Sequence, residues 1–169
     1  DPSLLHKSGG RFGPYILGPE LGRGGSAVVY AAEPIDPGTL TLGRGHGPIA
    51  IKIQHLDQPE ARKRFVREIE TLRELRIPGI AEVYEAGEKD HLLWFSMQRI
   101  NGLDFREKLQ RIQNIQARSL AAAQLGIRLC EILMSIHRHG YIHRDIKPGN
   151  VLVNDRNELT VLDFGVVQG

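Results

Sequence analysis

The stretch of sequence that decides the fold is HRDIKPGN, residues 143–150, which is followed by DFG at residues 163–165. Apolar runs rich in β-branched residues follow the first motif and precede the second, and the polar loop NDRN at residues 154–157 separates them. Two such runs around a short polar loop are typical of a β-hairpin. The two motifs therefore flank one predicted hairpin.

The register of this hairpin decides which side chains its open end carries. If Val153 pairs with Glu158, Asn150 lies opposite Val161 and Asp163 follows just beyond it. The side chains of Asn150 and Asp163 would then converge within roughly 7 Å, the diagonal separation across two strands. Oxygen ligands in such a pair suit Mg²⁺, which usually completes its coordination with phosphate oxygens and water.

Asp145 and Lys147 lie on the loop that enters this open end. The carboxylate offers a base, and the ammonium group offers a positive charge beside the metal. On their residues alone, the motifs predict a phosphate-handling site.

The paired motifs resemble the catalytic and metal-binding loops of the eukaryotic-type protein kinases, and IKPGN is most similar to bacterial serine/threonine kinases of that family. The resemblance implies that Asp145 orients the substrate hydroxyl and accepts its proton, while Lys147 steadies the transferring phosphoryl group. It also implies that Asn150 and Asp163 hold Mg²⁺. In this family Lys147 indicates serine or threonine, rather than tyrosine, as the acceptor.

A glycine-rich turn, GRGGSA at residues 22–27, lies between two predicted strands. Glycines let backbone N–H groups approach phosphates closely, although a plain glycine-rich hairpin is the alternative. Beside the catalytic motif the turn resembles the kinase glycine-rich loop, with Ala27 where a third glycine is usual. That departure should tighten the turn and slow nucleotide entry. The nucleotide contacts that the resemblance implies here are Leu21, Gly22, Arg23, Gly24, Gly25, Ser26, Ala27 and Val29.

The segment IAIKI, residues 49–53, alternates as a strand with its isoleucines towards the core, which puts Ala50 and Lys52 on the other face. A helix is predicted at residues 59–75, and Glu68 lies in its apolar stripe. A carboxylate there is costly without a cationic partner, and Lys52 is the candidate. The alternative is that Glu68 reaches solvent at the helix edge. In the kinases that the chain resembles, this lysine holds the α- and β-phosphates and the glutamate orients it.

The segment MQRING, residues 97–102, resembles the connector between the two kinase lobes, where backbone groups bond the adenine edge. Just after it, Asp104 either meets the ribose, as the resemblance implies, or caps the helix that follows. The adenosine contacts that the resemblance implies are Ala50, Met97, Gln98, Ile100 and Asp104.

The expected fold is α+β and protein-kinase-like. Residues 14–99 form a five-stranded antiparallel small lobe with one helix, and residues 100–169 form the first part of a mainly helical large lobe. Residues 1–13 are predicted to be a loose leader, and residues 34–48 an irregular insertion. The sequence has no Ala-Pro-Glu motif after the DFG motif, so we expect a truncated catalytic domain with little of the platform that holds a peptide substrate.

Three further elements are predicted from hydrophobic spacing. Strands at residues 80–86 and 91–97 flank a turn at residues 87–90. The longest helix, residues 119–139, is apolar on most of its surface and is therefore expected to be buried, with Cys130 as a small core residue.

Composition narrows the class of protein. The chain is 41% hydrophobic and 25% charged with a net charge of +2, which is ordinary for a globular protein and argues against nucleic acid as a partner. No uninterrupted apolar run approaches the ~18 residues of a membrane span. A single cysteine fits a reducing compartment, so a cytoplasmic location is expected.

Together these features predict ATP- and Mg²⁺-dependent transfer of the γ-phosphoryl group to serine or threonine in protein substrates. Two alternatives come from other classes. One is a small-molecule phosphotransferase, which the glycine-rich loop and Lys147 disfavour. The other is a non-catalytic nucleotide-binding scaffold, which the intact set of Lys52, Asp145, Asn150 and Asp163 disfavours.

Overall fold

The computed structural model of the chain describes residues 10–24, 27–36, 47–55, 59–162 and 167–168. The middle of the predicted insertion, residues 37–46, lies outside these ranges. The chain divides into two compact units. The first comprises the described residues up to 69 together with 82–99, and the second comprises residues 70–81 and the described residues from 100 onwards. Residues 70–81, which the sequence places in the small lobe, thus group with the second unit.

The first unit is built on an antiparallel sheet. Within the described residues it has six strands in the order β1-β2-β3-β4-β6-β5. Their bounds are β1 Arg11–Phe12, β2 Tyr15–Gly24, β3 Ala27–Pro34, β4 Ile49–His55, β5 Val83–Lys89 and β6 Leu92–Gln98.

Strand β1 lies in the predicted leader, so that prediction was wrong for residues 11–12. Phe12 pairs with Tyr15 across a tight turn in which Gly13 has a φ of 57°. Glycine adopts this left-handed conformation without steric cost, which allows so short a connection. Phe12 is buried and meets the Trp94 ring edge-on, with ring centroids 6.4 Å apart.

The alternation of strand β4 is confirmed. Ile49, Ile51 and Ile53 are buried in the core cluster of this unit. Helix α1, Pro59–Glu74, also buries its predicted apolar stripe, which includes Phe65. The ring centroids of Phe65 and Phe95 lie 5.3 Å apart.

The predicted position of the turn between β5 and β6, at residues 87–90, was wrong. Residues 87–89 continue strand β5, and the chain reverses at Asp90 and His91, with Lys89 paired to Leu92. Asp90 and His91 both have positive φ, 50° and 61°. Two consecutive left-handed residues make the two-residue turn that matches the strand twist, so Gly87 was not needed for the reversal.

Among its described residues, the second unit combines short strands with two further α-helices and the last residues of α1. The elements are β7 Leu103–Asp104, α2 Phe105–Gln110, α3 Ile115–Arg138, β8 Tyr141–Ile142, β9 Val151–Val153, β10 Leu159–Val161 and β11 Val167–Gln168. Strands β10, β9 and β7 form one sheet in that order, and β11 pairs with β8.

The β9–β10 hairpin exists as predicted, but its predicted register was wrong by one residue. Val153 pairs with Leu159 instead of Glu158. At the open end, the Leu162 N–H donates to the Asn150 carbonyl at 2.8 Å. Asn150 is therefore opposite Leu162, one residue nearer to Asp163 than expected.

The loop of this hairpin explains the shift. The Asn154 side-chain oxygen accepts from the N–H groups of Arg156 and Glu158, both at 2.9 Å. Asn157 has a φ of 59°, a conformation that asparagine tolerates well. The Asn154 backbone N–H also donates to the Glu158 carbonyl at 3.1 Å, so these bonds place Glu158 opposite Asn154 and not opposite Val153.

Helix α3 begins earlier than predicted and is much less buried. The Asn114 side chain accepts from the Ala117 N–H at 2.9 Å and caps the helix, and Gly140 follows its end with a φ of 80°. Within α3 only Leu125 and Ile136 are buried. Leu125 belongs to a cluster with Val151, Val153 and Leu159.

The opposite side of α3 carries an apolar stripe at alternating spacings of three and four residues, and all of its members are exposed. These are Leu120, Ala123, Ile127, Cys130 and Met134. The predictions of a buried helix and of a buried Cys130 were therefore wrong. The sequence shows that the helix is apolar on most sides, but only the face towards α2 and the β9–β10 hairpin finds apolar partners among the described residues.

Helix α3 is also long and apolar enough to cross a membrane when judged by length and composition alone. One such helix is weak evidence for a membrane span, since core helices of soluble proteins pass the same test.

Candidate active site

The pair predicted between Lys52 and Glu68 is present. The Lys52 ammonium group donates to a Glu68 carboxylate oxygen at 2.8 Å, and both side chains are about nine-tenths buried. The ammonium group also lies 5.8 Å from the centre of the Phe95 ring. Burial of either charge alone would be costly, so each side chain supplies the partner that the other needs in this setting.

The sheet places the predicted phosphate-side residues on one face. Gly22 pairs with Val29, and Val29 pairs with Lys52 on the next strand. Side chains that are directly opposite in antiparallel strands point to the same face. Ala50 shares that face because it is two residues from Lys52, and it pairs with Met97.

At the two ends of the glycine-rich turn, Gly24 pairs directly with Ala27. Gly25 and Ser26 lie outside the described residues. A Cβ added at Gly22 or Gly24 would have no described atom within 4 Å, so the backbone at both positions is open to a close approach. The effect of Ala27 on nucleotide entry stays a prediction.

At the connector, backbone donors are already in use. The Gln98 N–H donates to the Glu82 carbonyl at 2.8 Å, and the Arg99 N–H donates to the Pro48 carbonyl at 2.9 Å. An adenine contact at Gln98 would therefore have to use its carbonyl group.

The remaining predicted adenosine contacts, Ile100 and Asp104, belong to the second unit. The Asp104 carboxylate accepts from the Glu107 N–H at 2.8 Å and caps helix α2. The capping interpretation is thus confirmed, and the ribose contact stays a prediction.

In the second unit the catalytic-loop side chains contact one another. Lys147 donates to an Asp145 carboxylate oxygen at 2.7 Å, and the Asn150 amide donates to the same oxygen at 2.9 Å. The Asn150 amide also donates to the Asp145 backbone carbonyl at 2.9 Å. Asp145 and Lys147 are exposed, whereas Asn150 is buried under them.

These contacts set the charge state of Asp145. The hydrogen bond from Lys147 holds the pKa of the Asp145 carboxyl below its usual value, and the bond from Asn150 acts in the same direction. A carboxylate with a lowered pKa is ionised throughout the neutral range and can accept a proton there.

His143 supports the catalytic loop through hydrogen bonds to its backbone and to Leu162. It is buried, its Nδ1 accepts from the Asp145 N–H at 3.3 Å, and its Nε2 lies 2.9 Å from the Leu162 carbonyl. Nε2 must then carry the proton and donate to Leu162. Arg144, between His143 and Asp145, is held at a φ of 62°. The histidine therefore has a structural role in this loop.

Asn150 fits the predicted Mg²⁺ site in one respect. Both of its described side-chain bonds use the amide nitrogen, so neither of them engages the side-chain oxygen. An amide oxygen is a suitable ligand for a hard cation. Asp163, the second predicted ligand, lies outside the described residues, so its convergence with Asn150 stays a prediction.

The family model described as "Protein kinase domain" matches residues 15–169. The chain belongs to the protein kinase family. The kinase-like fold expected from the HRDIKPGN and DFG motifs is thereby confirmed.

Bacterial serine/threonine kinases are among the relatives of this kinase chain. It is 37% identical over 160 residues to the DNA damage-responsive serine/threonine-protein kinase RqkA of Deinococcus radiodurans, covering 92% of this chain and 22% of the relative. It is 32% identical over 164 residues to the serine/threonine-protein kinase PknD of Mycobacterium tuberculosis, covering 95% of this chain and 23% of the relative. The chain thus spans less than a quarter of the length of these curated relatives.

A solved kinase structure is also similar. The kinase domain of Mycobacterium tuberculosis PknI, crystallised as a mutant, matches with a TM-score of 0.70 and 29% identity, covering 94% of this chain and 62% of that chain.

Proposed function

We propose that the protein transfers the γ-phosphoryl group of ATP to serine or threonine hydroxyls of protein substrates. The observation that carries this proposal is the catalytic loop. Asp145, Lys147 and Asn150 contact one another there, and the chain belongs to a family whose named relatives are serine/threonine-protein kinases.

In the proposed reaction, Asp145 accepts the proton of the substrate hydroxyl as the hydroxyl oxygen bonds to the γ-phosphorus. The bond between that phosphorus and the bridging oxygen breaks, and ADP leaves with the electron pair. The lowered pKa of Asp145 keeps it ionised for this task. Lys147, 2.7 Å from Asp145, is placed to stabilise the negative charge of the phosphoryl group.

Lys52 would hold the α- and β-phosphates, and Glu68 fixes its direction through the 2.8 Å bond. Asn150 and Asp163 would hold Mg²⁺, which supplies positive charge for the phosphate oxygens when it is bound. The glycine-rich turn, including Gly22 and Gly24, would offer backbone N–H groups to the phosphates.

The direct test is to incubate the protein with γ-labelled ATP, Mg²⁺ and a mixture of proteins, and to identify the labelled amino acid. We expect phosphoserine or phosphothreonine, and no label with Lys52→Met. Label in a small molecule would support a small-molecule phosphotransferase instead. Nucleotide binding without any labelled product would support a non-catalytic scaffold.

A further inference from the structure

The rim of the glycine-rich hairpin carries an ion pair between Glu20 and Arg23, of which only Arg23 is a predicted nucleotide contact. The Arg23 Nε donates to one Glu20 carboxylate oxygen at 3.1 Å, and its Nη2 donates to the other at 2.7 Å. Two parallel bonds match the guanidinium fork to the carboxylate and fix the orientation of both groups. Exposed ion pairs without such bidentate geometry often contribute nothing measurable to stability.

This pair exists because strand β2 is irregular. In a regular strand, residues three apart point to opposite faces. The register of β2 against β3 shifts between Leu17 and Glu20, and again between Glu20 and Gly22. After these shifts Glu20 pairs with Tyr30, and Arg23 pairs with Val28. Since Val28 and Tyr30 are two residues apart, Glu20 and Arg23 lie on the same face.

That face is the one opposite Lys52. Tyr30 pairs with Ile51 and is buried in the core cluster, whereas its neighbour Val29 pairs with Lys52. The Glu20–Arg23 pair therefore reaches the hairpin from the core side of the sheet, and its bonds are not directed at the face where the phosphates are proposed to bind.

We propose that Glu20 and Arg23 are positioning residues that hold the end of β2, and with it the glycine-rich turn, in the geometry that receives nucleotide phosphates. Gly22 and Gly24 have no side chains, and no described atom lies within 4 Å of a Cβ built there. Gly22 and Gly24 thus have few packing contacts of their own among the described residues, and the bidentate pair fixes the strand to which both glycines belong. This inference rests on the proposed function.

The test compares Glu20→Gln with a matched control, Glu88→Gln. Glu88 accepts from Arg62 at 2.8 Å in another exposed ion pair of the same unit, outside the glycine-rich hairpin. A third variant, Glu20→Arg with Arg23→Glu, reverses the charges and can restore the pair. The measurements are kcat and KM for ATP, and hydrogen exchange of the amides in residues 18–32 without nucleotide.

We expect Glu20→Gln to raise the KM for ATP about three- to fivefold, with kcat changed by less than about twofold, because an exposed pair contributes at most a few-fold in equilibrium. Amide exchange in residues 18–32 should quicken. The charge reversal should recover most of both effects, and Glu88→Gln should show neither.

Two results would overturn the inference. One is an equal effect of Glu20→Gln and Glu88→Gln. The other is a raised KM that the charge reversal fails to recover, since Arg23 would then bind the nucleotide itself. The exchange measurement needs no catalysis. If the protein transfers no phosphoryl group yet exchange still quickens in Glu20→Gln, the proposed function fails while the positioning contact stands.

Discussion

At the scale of single residues, Asp145 has the clearest chemical role. Its carboxylate is exposed, ionised and held by Lys147 and Asn150. We expect Asp145→Asn to lower kcat by ~10²–10⁴-fold and to leave ATP affinity nearly unchanged, because a base acts mainly on the chemical step. Steady-state kinetics combined with direct ATP binding would check this. A parallel loss of ATP binding would remove Asp145 from the role of base.

Tyr15, which unlike Asp145 is fully buried, makes the stability of the protein depend on pH. Its hydroxyl donates to Ser96 at 2.8 Å, and burial together with the nearby Glu85 carboxylate raises its pKa to about 12. The folded state therefore favours the neutral phenol. That stabilisation is complete below the unfolded-state pKa of about 10 and is lost as pH rises from there towards 12.

We expect the free energy of unfolding of the wild type to fall by about 2 kcal/mol more than that of Tyr15→Phe between pH 10 and 12. Urea denaturation at several pH values would measure both slopes. Equal slopes would mean that Tyr15 ionises in the folded protein as readily as in the unfolded chain.

At the scale of elements, strand β4 and helix α1 are joined by the Lys52–Glu68 pair. We expect Lys52→Met to impair phosphate positioning strongly and Glu68→Gln to impair it less. A double-mutant cycle on kcat/KM should give a coupling of roughly 0.5–3 kcal/mol, as is usual for residues in contact. Strict additivity would show that the two side chains do not meet during turnover.

The segment after α1 is anchored by Gly79. Its φ is 89°, its carbonyl accepts from the Val161 N–H at 2.8 Å, and an added Cβ would lie 2.5 Å from the Ile132 side chain. We expect Gly79→Ala to destabilise the protein by about 2–4 kcal/mol through left-handed strain and overpacking. The change in the midpoint of urea denaturation would measure this destabilisation.

Gly126 in α3 is the matched control, because a Cβ there meets no described atom within 4 Å. Gly126→Ala should stabilise the helix by about 0.5–1 kcal/mol. Effects of the same sign at both glycines would contradict the role given to Gly79.

These elements also show what could be predicted from sequence and why. The burial of the β4 isoleucines follows from their alternation, and the burial of Glu68 follows from its place in an apolar stripe. Both were therefore predicted correctly. The turn at Asp90 and His91 could not be placed, because residues other than glycine adopt positive φ there. The Glu20–Arg23 pair was missed for a related reason, since only the two register shifts in β2 bring residues three apart to one face.

At the scale of the whole molecule, the apolar stripe on α3 is the feature that a folded chain of this kind usually covers. We expect Ile127→Gln and Met134→Gln to reduce the binding of a hydrophobic dye and to change the free energy of unfolding by less than about 0.5 kcal/mol, because both side chains are exposed.

Leu125→Gln provides the contrast on the same helix. Leu125 is buried with Val151 and Leu159, so this change should cost several kcal/mol, roughly 2–5 for the loss of a large core side chain. A comparable loss at Ile127 would show that the stripe is covered in the folded protein.

The position of Cys130 allows binding to the apolar stripe to be followed with an optical probe. The chain has one cysteine, and it is exposed three residues after Ile127 and four before Met134. A thiol-reactive fluorophore would therefore attach at a single known point, and its emission would respond when water leaves its surroundings. Occupancy of this side of the helix thus becomes a titratable optical signal, without a second label.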